Sequence, residues 1–192
     1  MNKPLPEDDI LSALETLKKG GTILYPTDTV WGLGCDATDF KAVQKIFSIK
    51  RRAESKSLIV LVCSFEMIQD YVENIPDIAF DLIQQINKPT TIIYSGAKNL
   101  ASNVVAADGS IGIRIVKEPF CEELIRQFGK AIVSTSANIS DSATPALFQQ
   151  IPEEIISETD YVVKYKQDVF ERAKPSTIIR LYESGEYKII RE

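Results

Sequence analysis

The sequence contains no histidine among its 192 residues. This absence excludes Ser-His-Asp and Cys-His catalysis, imidazole general bases and the usual histidine-bearing zinc sites. The three cysteines, Cys35, Cys63 and Cys121, do not have the spacing of metal ligands, so we expect them to be reduced and partly buried. Any chemistry must therefore use lysine, arginine, carboxylates, hydroxyls or a bound metal ion.

Long hydrophobic runs and a targeting signal are also missing. No apolar stretch approaches the roughly 20 residues of a membrane span, and the first nine residues lack the basic-then-apolar order of a signal peptide. We therefore expect a cytoplasmic protein that makes no membrane contact. The net charge of −5 provides no general attraction for polyanions, so nucleic-acid binding would require a local basic patch.

Glycine-rich phosphate loops are absent as well, because neither a Walker-type motif nor a GxGxxG motif occurs. A nucleotide, if one binds, would have to be held by side chains and by hydroxyls at strand ends. This absence directs attention to segments where a strand pattern gives way to polar residues.

What the sequence does contain is an alternation of helix and strand patterns. Apolar residues at helical spacing predict helices at 7–18, 39–49, 64–72, 77–87 and 119–128, and a helical turn at 153–158. Apolar, β-prone runs predict strands at 22–25, 58–62, 90–94, 111–116, 131–134 and 161–163, and a hairpin of 177–181 and 187–191. The segment 97–109 and part of 134–150 are predicted loops. The alternation predicts one α/β domain, residues 1–192, around a mixed twisted sheet.

The segment 20–35, GGTILYPTDTVWGLGC, combines a strand with polar residues at its end. Pro26 cannot donate to a sheet ladder and ends the strand, and the residues 27–29 then present two hydroxyls and a carboxylate. Gly32 and Gly34 would allow positive φ and a close approach of a ligand to the backbone in a loop. The pattern is consistent either with a small-molecule site or with a simple Pro/Asp/Gly turn.

Cations occur at two informative places. The residues 50–52 close the predicted helix 39–49, with Lys56 shortly after, and either interact with the helix macrodipole or clamp a phosphate or carboxylate. Arg114 interrupts an apolar strand pattern. Such an arginine is either paired with an acid or directed into a site that binds a carboxylate.

The segment 133–138, VSTSAN, carries three hydroxyls and an amide directly after a strand pattern. A helix cap or a Ser/Thr turn would explain these residue types. Alternatively, Ser134, Ser136 and Asn138 are two residues apart, so in an extended chain they would face one side and contact a ligand with several oxygens.

A resemblance links these segments. It is carried, in order, by residues 25–37 (YPTDTVWGLGCDA), the K-x-R pair at 50 and 52, P-x-T at 89–91, Arg114, the S-x-N pair at 136–138 and PSTI at 175–178. Together they resemble the YrdC-like family, specifically the threonylcarbamoyl-AMP synthases of the TsaC type. The resemblance implies an open α/β fold (YrdC/RibB-like) whose twisted sheet forms a concave, electropositive face.

The same resemblance implies a nucleotidyltransferase that joins L-threonine, bicarbonate and ATP into threonylcarbamoyl-AMP and pyrophosphate. In the family a separate complex transfers the threonylcarbamoyl group to an adenosine of tRNA (t6A). The implied ATP-binding and catalytic residues are Lys50, Arg52, Ser136 and Asn138, and Ser176 is an implied nucleotide contact. The implied threonine-binding residues are Thr27, Thr29, Thr91, Arg114 and Ser134, with Arg114 on the carboxylate. Mg²⁺ is expected to accompany ATP, without dedicated metal ligands.

Two alternatives belong to other classes of function. Family members have been linked to double-stranded RNA, so the chain could be an RNA- or tRNA-binding module, although a net charge of −5 argues against avid binding. It could also be a paralogue that acts on another carbamate or carbamoyl-adenylate.

Overall fold

The computed structural model describes residues 5–53, 57–169 and 175–192. The helices are α1 (Glu7–Lys18), α2 (Phe40–Ile49), α3 (Ile78–Gln85), α4 (Pro119–Phe128) and α5 (Glu153–Glu158), with 3-10 helices at Glu66–Asp70 and Phe148–Gln150. The strands are β1 (Ile23–Tyr25), β2 (Gly32–Gly34), β3 (Ile59–Val62), β4 (Thr90–Tyr94), β5 (Ile111–Ile115), β6 (Ile132–Ser136), β7 (Tyr161–Val162), β8 (Thr177–Leu181) and β9 (Tyr187–Arg191).

The nine strands form one mixed sheet in the order β7-β1-β2-β6-β3-β5-β4-β8-β9. Strands β1 and β7, β3 and β5, and β4 and β8 are parallel pairs, and the other neighbours are antiparallel. The predicted α/β fold around a mixed sheet is therefore confirmed. The electropositive concave face stays a prediction.

Local capping signals explain the helix boundaries. Helix α4 begins with Pro119 after the N-cap Glu118, whose carboxylate accepts from the Cys121 N–H, and it ends at Gly129 with a φ of 71°. Pro suits the first helical position because its missing N–H would be unpaired there anyway, and Gly adopts the left-handed conformation without strain. Asp39 caps α2 by accepting from the N–H groups of the next turn.

Most predicted elements are confirmed, and two differ in an instructive way. The predicted helix 64–72 is a 3-10 helix over Glu66–Asp70, and the Ser64 hydroxyl accepts from the Met67 N–H as expected for a cap. Strand β6 continues two residues beyond its predicted end at 134, so the hydroxyls of the segment 133–138 belong partly to the sheet.

The prediction of a glycine-bordered loop around Gly32 and Gly34 is wrong, because these residues form strand β2. Neither glycine has a positive φ. A Cβ on Gly34 would lie 2.2 Å from the carbonyl oxygen of Val133 and 2.8 Å from the Tyr25 ring. Close packing of the sheet, rather than backbone conformation, therefore requires glycine at this position.

The core lies between the sheet and helices α1, α2 and α4. Cys35 and Cys121 are buried within it and Cys63 is partly buried, and all three are free thiols, as predicted. In the described ranges, no helix has both the length and the apolar character that a membrane crossing requires.

Candidate active site

A cavity of about 240 Å³ crosses the sheet, and each of seven neighbouring strands from β2 to β9 contributes at least one lining residue. The lining residues are Thr29, Val30, Gly32, Arg52, Ser57, Leu58, Ile59, Thr91, Arg114, Ser134, Thr135, Ser136, Thr144, Pro175, Ser176, Ile178 and Arg191. The segment between β1 and β2 and the connection after α2 therefore meet residues that lie more than a hundred positions away.

The charged side chains that line the cavity in the described part of the chain are all cationic. Arg52, Arg114 and Arg191 contribute cations, and among the described residues no carboxylate lines the cavity. Eight Ser and Thr side chains supply hydroxyls around these guanidinium groups. Guanidinium groups bind carboxylates and phosphates through paired N–H donors, so this lining suits a small anionic ligand with several oxygens.

Arg114 is the most unusual of the three cations. Its side chain is 3% exposed, and its Nη2 lies 3.3 Å from Oδ1 of Asp28, whose side chain is 9% exposed. Within the described ranges, none of its five N–H donors makes a hydrogen bond, and its Nε is fully buried without a partner. The structure thus combines both alternatives from the sequence: Arg114 pairs with an acid and also lines the cavity.

Burying the Arg114 guanidinium with unused donors costs free energy unless a ligand accepts hydrogen bonds from them. A buried charged group without hydrogen-bond partners loses its hydration with no replacement. Asp28 offsets the charge but leaves the donors of Arg114 unused. An oxygen-bearing anion in the cavity could accept from them.

Thr29 and Ser134 line the cavity together with Arg114, while Thr27 does not line it. The Thr27 hydroxyl donates to the carbonyl of Val30 at 2.8 Å, accepts from the Thr29 N–H at 3.0 Å and lies 2.9 Å from the Thr29 hydroxyl. Thr27 therefore shapes the turn that presents Thr29. It faces a second cavity of about 410 Å³ on the other side of this segment.

Strands β4, β8 and β9, which follow β5 in the sheet, supply the next part of the lining. The hydroxyls of Thr91 and Ser176 lie 2.9 Å apart, and both residues line the cavity. The guanidinium of Arg191 donates to the Ser176 carbonyl through Nε at 3.2 Å and Nη2 at 2.7 Å. Arg191 is thus held in place at the rim by the backbone of the strand next to it.

Lys50 lies behind the wall rather than on it. Its side chain is 1% exposed, and its Nζ donates to the carbonyls of Ser136 at 2.5 Å and Asn138 at 2.7 Å, with a longer contact of 3.4 Å to Asn138 Oδ1. Burial, and secondarily the charge of Arg52, lower its pKa to about 8. The amine therefore organises the end of β6.

Asn138 completes this cluster and also lies off the lining. Its amide donates to the carbonyls of Ile139 and Ser142, and its Oδ1 accepts from the Ser136 hydroxyl at 2.5 Å. Ser136 itself lines the cavity, as does Arg52, whose Nη2 donates to the Ser57 carbonyl at 2.8 Å. The alternation that would place Asn138 beside Ser136 ends because β6 ends at Ser136.

Seven of the ten predicted site residues share this cavity: Thr29, Arg52, Thr91, Arg114, Ser134, Ser136 and Ser176. Sequence reasoning missed Arg191, Ser57, Thr135 and Thr144. Arg191 had no local signal, since it ends an exposed hairpin strand and reaches the site only through the strand order. Lys56, also noted in the sequence, lies outside the described residues.

Comparisons with known proteins agree with this fold. The structure is similar to the crystal structure of E. coli YciO, with a TM-score of 0.84, 25% identity, and coverage of 99% of this chain and 91% of that chain. The crystal structure of P. abyssi Sua5 complexed with L-threonine has a TM-score of 0.84 and 24% identity over 93% of this chain. The match spans only 52% of the Sua5 chain, about half its length.

Sequence comparisons extend over most of the chain. The threonylcarbamoyl-AMP synthase of Pseudoalteromonas translucida (strain TAC 125) is 31% identical over 175 residues, covering 90% of this chain and 92% of that protein. A model of the Sua5/YciO/YrdC family, described as "Telomere recombination", matches residues 15–192. The chain belongs to the Sua5/YciO/YrdC family.

Proposed function

We propose that this protein is a threonylcarbamoyl-AMP synthase, which forms threonylcarbamoyl-AMP and pyrophosphate from L-threonine, bicarbonate and ATP. The observation that carries the proposal is the buried guanidinium of Arg114, which lines the cavity and has no hydrogen-bond acceptor within the described residues. The carboxylate of L-threonine is an acceptor of the right geometry. A family relative similar over 90% of the chain is named for this activity.

The residues divide into two groups around this contact. Thr29, Ser134 and Thr91 surround Arg114 and would bind the rest of the amino acid. Arg52, Arg191, Ser136 and Ser176 line the remaining wall and would bind the triphosphate and the nucleotide. Lys50, Asn138 and Thr27 would act by shaping the wall, because their polar atoms bond to the protein.

The chemistry requires positioning rather than a protein nucleophile. The threonine amine and bicarbonate form a carbamate and release water. A carbamate oxygen then attacks the α-phosphorus of ATP, and the bond to the bridging oxygen of the leaving pyrophosphate breaks. Charge accumulates on pyrophosphate, where arginine donors stabilise it, and holding the reactants together removes much of the entropic barrier. A chain without histidine can perform this reaction.

We further propose that Mg²⁺ enters with ATP. In the described part of the chain no group of three His, Cys, Asp or Glu residues is arranged to hold a metal ion, and the cavity lining carries no acid. Phosphate oxygens are ligands that Mg²⁺ accepts while keeping several waters. The metal would neutralise phosphate charge in the transition state.

The product would serve tRNA modification, through a separate complex that transfers the threonylcarbamoyl group. Direct RNA binding is not needed for the synthesis. The three arginines line a cavity of about 240 Å³, which is dimensioned for small molecules rather than for a duplex. A net charge of −5 also disfavours nonspecific binding to polyanions.

The experiment that tests the proposal measures pyrophosphate release from ATP with Mg²⁺, with L-threonine and bicarbonate supplied together or one at a time. We expect release only when both are present, and threonylcarbamoyl-AMP as the product by mass spectrometry. L-serine, which lacks one methyl group, serves as the matched control, and a discrimination of about tenfold or more is expected.

Two outcomes would redirect the assignment. ATP binding without threonine-dependent release would favour a paralogue with another carbamoyl substrate. Failure to bind ATP, combined with salt-dependent retention of tRNA, would favour the RNA-binding module.

A further inference from the structure

The segment between β1 and β2 separates two cavities, and Asp28 and Arg114 meet across it. Arg114 lines the arginine-bearing cavity, whereas Asp28 lines the second cavity on the far side of the segment. Their closest atoms, Nη2 and Oδ1, are 3.3 Å apart, and the two side chains are 3% and 9% exposed. The carboxylate therefore approaches the guanidinium from outside the site.

Asp28 is also hydrogen-bonded to the segment that follows β5, the strand that carries Arg114. Its Oδ2 accepts from the backbone N–H of Lys117 at 3.3 Å, two residues past the end of β5, which carries Arg114. Its Oδ1 makes no hydrogen bond within the described ranges, and neither does Nε of Arg114. The pair is thus a charge contact and not a closed two-bond fork, which would have used the donors of Arg114.

We propose that Asp28 is a positioning and specificity residue for the Arg114 subsite, where it aims the guanidinium into the cavity and lowers the affinity of that subsite for dianions. This inference rests on the proposed function, because it names L-threonine as the ligand whose carboxylate Arg114 binds. The buried charge of Arg114 is already matched by one negative charge. A single carboxylate can bind the free donors, while a dianion meets the repulsion of Asp28 a few ångströms behind.

Two effects of Asp28→Asn follow, and they have opposite signs. Loss of the charge contact frees the guanidinium to turn toward cavity hydroxyls such as Ser134, so affinity for L-threonine should fall about tenfold. Loss of the negative charge raises the local positive potential, so sulfate should compete with L-threonine several times more strongly. A purely structural role would weaken the binding of both ligands.

The measurement is isothermal titration of the full chain with L-threonine, alone and in sulfate, with ionic strength held constant by chloride. Asp28→Glu is the matched variant, because it keeps the charge but moves the carboxylate by one methylene. In this variant we expect weaker threonine binding and wild-type sulfate competition. Circular dichroism and thermal unfolding establish that each variant is folded.

The proposal is overturned if the two affinities of Asp28→Asn move in the same direction or do not change. If Asp28→Asn fails to fold, Asp28→Glu decides, and unchanged threonine affinity in that variant overturns the positioning role. Failure of the proposed function has a different signature, namely a wild-type protein without threonine-dependent pyrophosphate release. Sulfate titration of wild type and variant still tests the charge effect of Asp28 in that case.

Discussion

Arg114 and Lys50 are both buried cations beside the same cavity, but their donors are used differently. The ammonium of Lys50 donates to two backbone carbonyls and contacts a side-chain oxygen. The guanidinium of Arg114 makes one ion pair and, within the described residues, no hydrogen bond. Burial alone therefore does not identify a ligand-binding cation. The number of donors left without a protein acceptor separates a cation that stabilises the fold from one that awaits a ligand.

The largest effect expected from this comparison is on catalysis by Arg114→Lys. A lysine keeps a positive charge near Asp28 but lacks the planar fork that binds a carboxylate with two hydrogen bonds. We expect kcat/KM for L-threonine to fall by about 100-fold or more, while the melting temperature changes little. Steady-state kinetics with varied threonine, together with calorimetry, provide the check. Kinetics within threefold of wild type would remove Arg114 from the threonine site.

Lys50→Met tests the second cation of this comparison, whose donors are already used by the protein. Methionine preserves the length of the side chain but removes the ammonium donor. The Ser136 carbonyl keeps the Asn138 N–H and Asn138 Oδ1 keeps the Ser136 hydroxyl, so among the described residues it is the Asn138 carbonyl that loses its donor. Because one unsatisfied buried carbonyl costs about 1–3 kcal/mol, the free energy of unfolding should fall by about 2 kcal/mol. Activity should fall as well, because Ser136 and the end of β6 lose their support. Urea denaturation measures the effect, and unchanged stability would contradict the structural role of Lys50.

The pH dependence of stability tests the charge state of the same lysine. Its folded-state pKa is lowered to about 8 by burial, from an ordinary value of 10.5. Between these two pH values the unfolded state binds more protons than the folded state, so the Lys50 contribution to the free energy of unfolding rises with pH. Below pH 8 both states are protonated and the contribution is constant.

Lys50→Met supplies the reference for this measurement, since tyrosines and cysteines titrate in the same range. The free energy of unfolding of wild type should increase relative to the variant between pH 8 and 10. A difference that stays constant over this range would mean that Lys50 keeps an ordinary pKa in the folded protein.

The smallest expected effects come from two buried tyrosines that, like the two cations, differ in whether their polar group has a hydrogen-bond partner. The Tyr71 hydroxyl accepts from the Ala131 N–H at 2.8 Å, whereas the Tyr94 hydroxyl has no partner within the described residues. We expect Tyr71→Phe to lower the free energy of unfolding by about 1–2 kcal/mol, because the buried N–H loses its acceptor. Tyr94→Phe should be neutral or stabilising by up to about 1 kcal/mol. Denaturant midpoints compare the two variants, and equal losses would contradict this distinction.

Much of the fold could be predicted because its signals are local. The helix Pro119–Phe128 was predicted with its exact bounds, since Pro at the first position, apolar residues at helical spacing and a terminal Gly all agree. Strands Thr90–Tyr94 and Thr177–Leu181 were similarly bounded by turn residues. The strand Gly32–Gly34 was missed, because glycines normally indicate turns and only the packing against Val133 and Tyr25 explains them.

The same difference between local and long-range signals separates the site residues that could be predicted from those that could not. The hydroxyls of Thr29 and Ser134 and the cation Arg114 stood out because each is polar at a position where a strand pattern is apolar or ends. The burial of Lys50 and Asn138 behind the wall could not be predicted, because it depends on the carbonyls at the end of β6. Arg191 could not be found from its own neighbourhood, since the hairpin strand that carries it is exposed along its whole length.

The sequence by itself determined the class of chemistry and the local elements. Without histidine and without a phosphate-binding loop, the chain was restricted to side-chain cations and hydroxyls at strand ends. Only the tertiary structure decided which cations serve a ligand. The order of the strands and the connections between them bring Arg52, Arg114 and Arg191 to one cavity and place Asp28 beside Arg114. Whether a buried donor is hydrogen-bonded depends on acceptors that are distant in sequence, so it cannot be predicted from a local sequence pattern.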